Sequence, residues 1–174
     1  MDRHDLASRL MLVAGQALES GSGSLAELPQ GVQAVDSWQN ERFGGVLFWI
    51  DESLDLNGWG KAVLHDTMLR RDGHDWRPMG AGATGTGTAE EVAAEKGPGL
   101  HWVSTTSQDP VRLVTAVATP EVFAIELRSA RASTSRRPGR DGFCLLGITH
   151  SDPITYANAL DHDGRPIAGE PLLL

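Results

Sequence analysis

Residues 121–129 read EVFAIELRS, and apolar side chains recur there at every second position. Phe123, Ile125 and Leu127 alternate with smaller or charged residues. Because successive side chains of a β-strand point to opposite faces, this alternation predicts a strand with one buried face and one exposed face.

Similar short patterns, bounded by Gly, Pro, Asn and Asp, extend from this stretch in both directions. Strands are predicted at residues 46–51, 59–71, 75–79, 100–106, 111–117, 142–149, 154–160 and 165–168. Pro78 lacks the amide donor that an interior strand needs, so it predicts an edge position for residues 75–79. Many short strands separated by turns favour a mostly-β fold. We expect an antiparallel β-sandwich or, alternatively, a strongly curved sheet around a central cavity.

The N-terminal part of the chain has a different period. Leu6, Leu10, Val13, Ala14 and Ala17 share one helical face, which predicts an amphipathic helix over residues 3–19 packed on the sheet. Residues 24–44 show no clean period and are predicted to be irregular, with one helical turn near residues 35–39. The antiparallel region then covers residues 45–170, interrupted by a short helix at residues 89–96.

Composition limits the functional classes. The 174 residues fit one domain, which we take to be residues 1–174. The formal net charge of −8 disfavours duplex nucleic acid and anionic membranes as partners, since both attract positive surfaces. With one cysteine, no signal peptide and no long apolar run, the sequence predicts a cytoplasmic protein. Thirteen arginines against two lysines are typical of a bacterial source.

Residues 80–85, GAGATG, match the spacing of a dinucleotide-binding glycine motif. That motif needs a buried parallel strand before it and alternating helices and strands after it. The preceding stretch is polar and contains Pro78, and the following pattern is all strand. We therefore interpret Gly80–Gly87 as a surface loop and predict no cofactor.

Four of the six histidines stand directly before an aspartate, at positions 4, 65, 74 and 162. Adjacent residues of a strand point to opposite faces, so His65 and Asp66 are not expected to chelate one ion. The sequence contains neither of the usual paired-histidine zinc motifs, and we predict no metal site.

Five arginines fall within residues 128–140, a segment without acidic residues in an acidic protein. We expect residues 128–140 to form a polar loop between two strands. Its functional interpretation is a docking loop for an acidic protein partner, a phosphate or another small ligand, or single-stranded nucleic acid, with Arg131, Arg136, Arg137 and Arg140 as the contact residues. A non-catalytic binding or protein-interaction module is therefore the first hypothesis.

Two alternatives belong to other classes. A small enzyme with a pocket in the curved sheet would use His65, which lies in a strand among apolar neighbours, as its acid–base residue. A carbohydrate-binding sandwich would use exposed tryptophans. Trp59 and Trp76 flank turns and are the candidates, whereas Trp49 and Trp102 are expected in the core.

Overall fold

The computed structural model describes residues 3–20, 28–54, 61–151, 153–167 and 171–174. Two 3₁₀ turns, at Glu52–Leu54 and Arg140–Gly142, accompany the regular elements. The helices and strands are α1 (Arg3–Ser20), β1 (Val32–Gln39), β2 (Phe43–Ile50), β3 (Val63–Asp72), β4 (Asp75–Gly85), α2 (Ala89–Lys96), β5 (Leu100–Gln108), β6 (Val111–Ala118), β7 (Ala124–Ser129), β8 (Ser133–Arg136), β9 (Phe143–Thr149), β10 (Ile154–Leu160) and β11 (Leu172–Leu173).

The strands form three antiparallel sheets with α1 packed against the first. The first sheet has the order β1-β2-β3-β4, the second β5-β6-β9, and the third β11-β10-β7-β8. β4 is an edge strand of its sheet, as Pro78 predicted. The structure thus confirms the predicted mostly-β sandwich with an N-terminal helix, and α1 and α2 lie where the sequence placed them.

Three apolar clusters hold these layers together. One cluster lies between α1 and the first sheet and contains Leu10 and Phe48. A second fills the space between the first and second sheets, around Leu47 and Leu145. The third joins the second and third sheets, where Cys144 packs with other buried side chains. Each sheet face that these clusters cover is thus removed from water, which is the main stabilising contribution of the fold.

A buried ion pair joins β1 of the first sheet to β8 of the third, at the point where β1 lies beside β9 of the second sheet. Arg136 donates to the carboxylate of Asp36, and the same carboxylate accepts the amide of Leu145 at 2.7 Å. Arg136 also donates to the carbonyl oxygen of Leu145 at 3.1 Å. The Asp36 side chain is only 7% exposed. Together these bonds tie β1, β8 and β9 at one point.

The irregular segment predicted at residues 24–44 is wrong over its second half. Val32–Gln39 forms strand β1, not a loop with a helical turn. The pairing of β1 with β2 shifts register between Ala34 and Asp36, so the two-residue period is interrupted. The buried side chain of Asp36 is charged, so it also interrupts the apolar alternation from which a strand would be predicted.

The surface loop predicted at Gly80–Gly87 is wrong as well, because β4 continues to Gly85. Gly82 pairs with Asp66, and a Cβ atom there would lie 2.1 Å from the Thr106 hydroxyl oxygen. Glycine is therefore required for the close approach of β5. Gly82 of this segment therefore serves packing between strands and not flexibility.

The polar loop predicted at residues 128–140 also has regular structure. Ser133–Arg136 forms β8, which pairs with β7, and a 3₁₀ turn begins at Arg140. Its Ser- and Arg-rich sequence lacks the apolar alternation of a half-buried strand because β8 lies at the edge of its sheet. Within the described residues, we find no helix both long and apolar enough to span a bilayer.

Asp66 is a second buried carboxyl group, facing the space between the first two sheets. It is 1% exposed, and it accepts a hydrogen bond from the Thr106 hydroxyl at 2.9 Å. Burial raises the pKa of Asp66, against the opposing effect of the bonds from Thr106 and Gly82. The pKa of Asp66 is higher in the folded state than in the unfolded state. Below the unfolded-state pKa the carboxyl group is protonated in both states, so its burial has no electrostatic cost there. The cost grows as the pH rises toward the folded pKa.

Asp66→Asn is therefore expected to raise the free energy of unfolding by about 1–2 kcal/mol at neutral pH. The gain should shrink as the pH is lowered toward about 4, where Asp66 of the unfolded chain also binds a proton. Urea unfolding at several pH values measures this difference. Asp75→Asn, at an exposed position, is the matched control. A variant less stable than the parent at neutral pH would show that the Asp66 charge is stabilising.

Candidate functional site

A cavity of about 690 Å³ opens at the end of the fold where β6 ends and β9 begins. These two strand ends are adjacent because β6 and β9 pair antiparallel. The start of α2 forms another part of the wall. The lining residues are Gln33, Trp49, Thr88, Ala89, Glu90, Ala118, Thr119, Pro120, Glu121, Val122, Phe123, Arg137, Pro138, Asp141, Gly142, Phe143 and His162.

Two stacked aromatic rings form an apolar part of this cavity. The centroids of Trp49 and Phe143 lie 4.8 Å apart, with an angle of 25° between the ring planes. Phe143 is buried, whereas Trp49 keeps partial exposure on the cavity side of the core. Buried Ala89 and Val122 extend the apolar wall. A wall of this kind favours a flat, apolar ligand.

Three side chains meet at the mouth of the cavity. Phe123 is 36% exposed, and the guanidinium carbon of Arg137 lies over its ring at 4.7 Å from the centroid. The ring of His162 lies 4.4 Å from the same centroid. The amide of Phe123 donates to the carbonyl of Leu160 at 2.8 Å, which brings the segment after β10 beside the mouth. One aromatic ring and two nitrogen-rich groups thus share a single edge of the cavity.

The turn before β9 shapes the opposite wall through two residues with positive φ. Asp141 has φ 57° and Gly142 has φ 81°. A Cβ atom at Gly142 would lie 2.3 Å from the carbonyl oxygen of Ala118, so the turn passes directly over the end of β6. Glycine at this position allows both the positive φ and the close approach.

Three carboxyl groups, those of Glu90, Glu121 and Asp141, also line the cavity. A hydrogen bond from the Thr119 hydroxyl lowers the pKa of Glu121. The Thr119 oxygen itself accepts the buried amide of Gly99 at 2.9 Å. Glu90 stands in the first turn of α2, where the helix dipole stabilises a negative charge. The cavity therefore combines an apolar floor with charged groups of both signs.

A second cavity, of about 990 Å³, shares Trp49 and Thr88 with the first. Its wall is more polar and carries several carboxylates. Glu91 belongs to the capping box of α2, in which its side chain accepts the amide of Thr88 at 2.8 Å. The remaining charged lining residues are Asp51, Glu52, Lys61 and Glu95.

The structure places His65 away from both cavities. It is 8% exposed and lies on the face of β3 that packs against α1, the face that also carries Val63. Neither cavity includes His65 in its wall. A catalytic role for His65 stays a prediction.

The four arginines of the predicted docking loop have different surroundings. Arg131 is exposed in the turn between β7 and β8, and Arg140 donates to the side chain of Gln33 at 3.2 Å. Arg136 belongs to the buried ion pair with Asp36, and Arg137 lies at the cavity mouth. Arg136 is thus separated from the three exposed arginines, and docking through Arg131, Arg136, Arg137 and Arg140 stays a prediction.

The expected exposure of two tryptophans is reversed. Trp102, predicted in the core, is 53% exposed, with its ring nitrogen bonded to Thr105 at 3.0 Å. Trp76, predicted exposed, packs against the cluster under α1 and beside Gly44. Trp59 lies outside the described residues. The pair suggested for carbohydrate binding therefore loses Trp76 as a free platform.

Sequence reasoning missed the cavity residues Phe123, Arg137, Phe143 and His162 as a group. They come from separate segments and meet only because β7, β9 and β10 end or begin at the same end of the molecule. The one local signal is the clustering of Pro and Gly at residues 120, 138, 139 and 142, which marks the loops at this end.

No group of three or more His, Cys, Asp or Glu side chains within the described ranges is placed to hold a metal ion. Burial raises the pKa of the Cys144 thiol to about 12, which disfavours the reactive thiolate form. Comparison with known protein families, curated proteins and solved structures gives no match.

Proposed function

We propose that this protein is a binding module for a small organic ligand with a flat, largely apolar body, held in the cavity beside Trp49 and Phe143. The stacked Trp49–Phe143 pair in the wall of a cavity of about 690 Å³ carries this proposal. That volume falls within the roughly 300–1,000 Å³ range of small-molecule sites, which combine apolar walls with a few polar groups.

The mouth of the cavity supports the same function. The aromatic side chain of Phe123 lies beside the open cavity, and about a third of its surface is exposed to solvent. A flat ligand that enters the cavity would cover this surface and gain the free energy of apolar burial. Arg137 and His162 beside the ring would supply polar contacts that orient the ligand.

Phe123→Ala tests the site with little risk to the fold, since the side chain is partly exposed. An aromatic contact contributes about 0.5–1.5 kcal/mol beyond burial, so we expect roughly tenfold weaker binding of flat ligands. The measurement is ligand-detected NMR with a library of flat aromatic and alicyclic compounds, followed by titration of the compounds that bind.

Trp102→Ala provides a matched control, because Trp102 is an exposed aromatic residue that does not line the cavity. It should leave every affinity unchanged. Binding that responds equally to both substitutions, or a library in which no flat compound binds, would contradict the proposal.

A further inference from the structure

The guanidinium group of Arg137 is a charge at the cavity mouth that forms no ion pair with any of the described residues. Among the described residues, the ion pairs are formed by other arginines and by His150, and none involves Arg137. Its contact is with the ring of Phe123. An aromatic ring attracts the cation through its face but offers no acceptor in the guanidinium plane. The N–H donors of Arg137 therefore keep their capacity for an oxyanion.

Two of the carboxylates that line the same cavity have their negative charge stabilised by groups of the chain close to them. The nearby Thr119 hydroxyl lowers the pKa of Glu121 and so favours its charged form. Glu90 lies at the positive end of α2. Asp141 occupies the tight turn before β9, with the positive φ that aspartate tolerates better than most residues. Arg137 differs from Glu90 and Glu121 because no acidic side chain in the described part of the chain pairs with it.

The ring of His162 contacts the same aromatic side chain as Arg137. Its ring and the Arg137 guanidinium each lie within 5 Å of the same point, the centroid of Phe123. A planar anion at the mouth can accept from the guanidinium of Arg137. A guanidinium matches the two oxygens of a carboxylate in one plane, which an ammonium group does not.

We infer that the ligand class is an aromatic carboxylate, whose ring lies along Trp49 and Phe143 and whose carboxylate accepts hydrogen bonds from Arg137. This inference rests on the proposed function and specifies the charge of the ligand. The apolar wall provides affinity for the ring, and the mouth distinguishes an acid from its neutral analogue.

Three probes with the same ring system separate the charge from the shape of the ligand. They are naphthoate, its neutral amide naphthamide, and the cation naphthylmethylammonium, each titrated by calorimetry or NMR. The parent protein is expected to bind naphthoate about tenfold more tightly than naphthamide, since a charged hydrogen-bonded pair adds to the ring contact. The ammonium probe should bind most weakly.

Arg137→Gln should abolish the preference for naphthoate and leave the affinity for naphthamide unchanged. Arg137 is exposed, so the variant should fold as the parent does, which its thermal unfolding will check. Arg77→Gln, on an exposed arginine that pairs with Asp72, is the matched control and should keep the preference.

The outcomes also separate this inference from the proposed function. If all three probes bind equally, or if the ammonium binds best, the carboxylate assignment is wrong while a flat-ligand site stands. A preference for naphthoate that persists in Arg137→Gln likewise overturns the role of Arg137. Failure of every probe to bind would contradict the proposed function and this inference together.

Discussion

Arg136→Met is expected to lower the free energy of unfolding by about 3–5 kcal/mol at neutral pH, because it leaves a buried carboxylate without its counter-charge. The Asp36 carboxylate would retain the amide of Leu145 but lose the guanidinium. Arg136 also donates to the Leu145 carbonyl, and that bond is lost as well. Chemical denaturation of the two proteins measures the difference.

The size of this effect should depend on pH. Burial already raises the pKa of Asp36 in the parent, and Arg136 opposes that rise. Without Arg136 the folded-state pKa moves further above the unfolded value, so the cost of the charge grows as the pH rises through that interval. We therefore expect a smaller destabilisation at acidic pH. A loss that is independent of pH would show that packing, and not charge, dominates.

Arg140→Met is the matched control, since Arg140 is exposed and bonds only to Gln33 among the described residues. Its effect should stay within about 0.5 kcal/mol.

The structural role of Arg136 also determines how partner docking should be tested. Neutralising all four arginines at once would unfold much of the protein through Arg136, so a docking test should change Arg131 and Arg140 alone.

Gly147→Ala is expected to destabilise the protein by about 3 kcal/mol, in the upper part of the range for overpacked cores. An added Cβ would lie 2.0 Å from the ring of Trp38, which covers the backbone of β9 at this point. The ring would have to leave its place between β1 and β9. Thermal or urea unfolding gives the magnitude.

Gly80→Ala serves as the control, because a Cβ atom at this strand position meets nothing within 4 Å. It should be neutral or slightly stabilising. In a double-mutant cycle, Gly147→Ala should cost little once Trp38→Ala has removed the ring. Equal costs in both backgrounds would mean that the clash is not the cause.

The fold could be predicted where local alternation and turn residues agree with the final structure. The helix containing Leu10 was correct, and the strand predicted at residues 121–129 was correct from Ala124 onward, whereas Phe123 lies outside it and is exposed. β1 was not predicted because a bulge interrupts its two-residue alternation and because Asp36 is a charged residue at a buried position. The glycine-rich β4 was predicted to be a loop because the contact that requires Gly82, the approach of Thr106, involves a residue distant in the chain.

The candidate site could not be predicted from local sequence patterns for a similar reason. Each lining side chain, such as Phe123 or His162, has an ordinary neighbourhood in the sequence, and only the sheet order brings them together. The arginine-rich segment at residues 128–140 is evident in the sequence from its positive charge alone. Which arginine is internal and which faces a cavity depends on the partner strand, since Arg136 and Arg137 are adjacent in sequence yet have opposite roles.

The bonds around Asp36 also bear on how the chain reaches its folded state. They connect positions 100 and 109 residues apart, and the pairing of β6 with β9 spans the intervening strands β7 and β8. Closing such large loops costs entropy before the contacts repay it. The protein should therefore fold in milliseconds to seconds, as other domains rich in distant pairings do. Its hairpins should form early and the junction at Asp36 late.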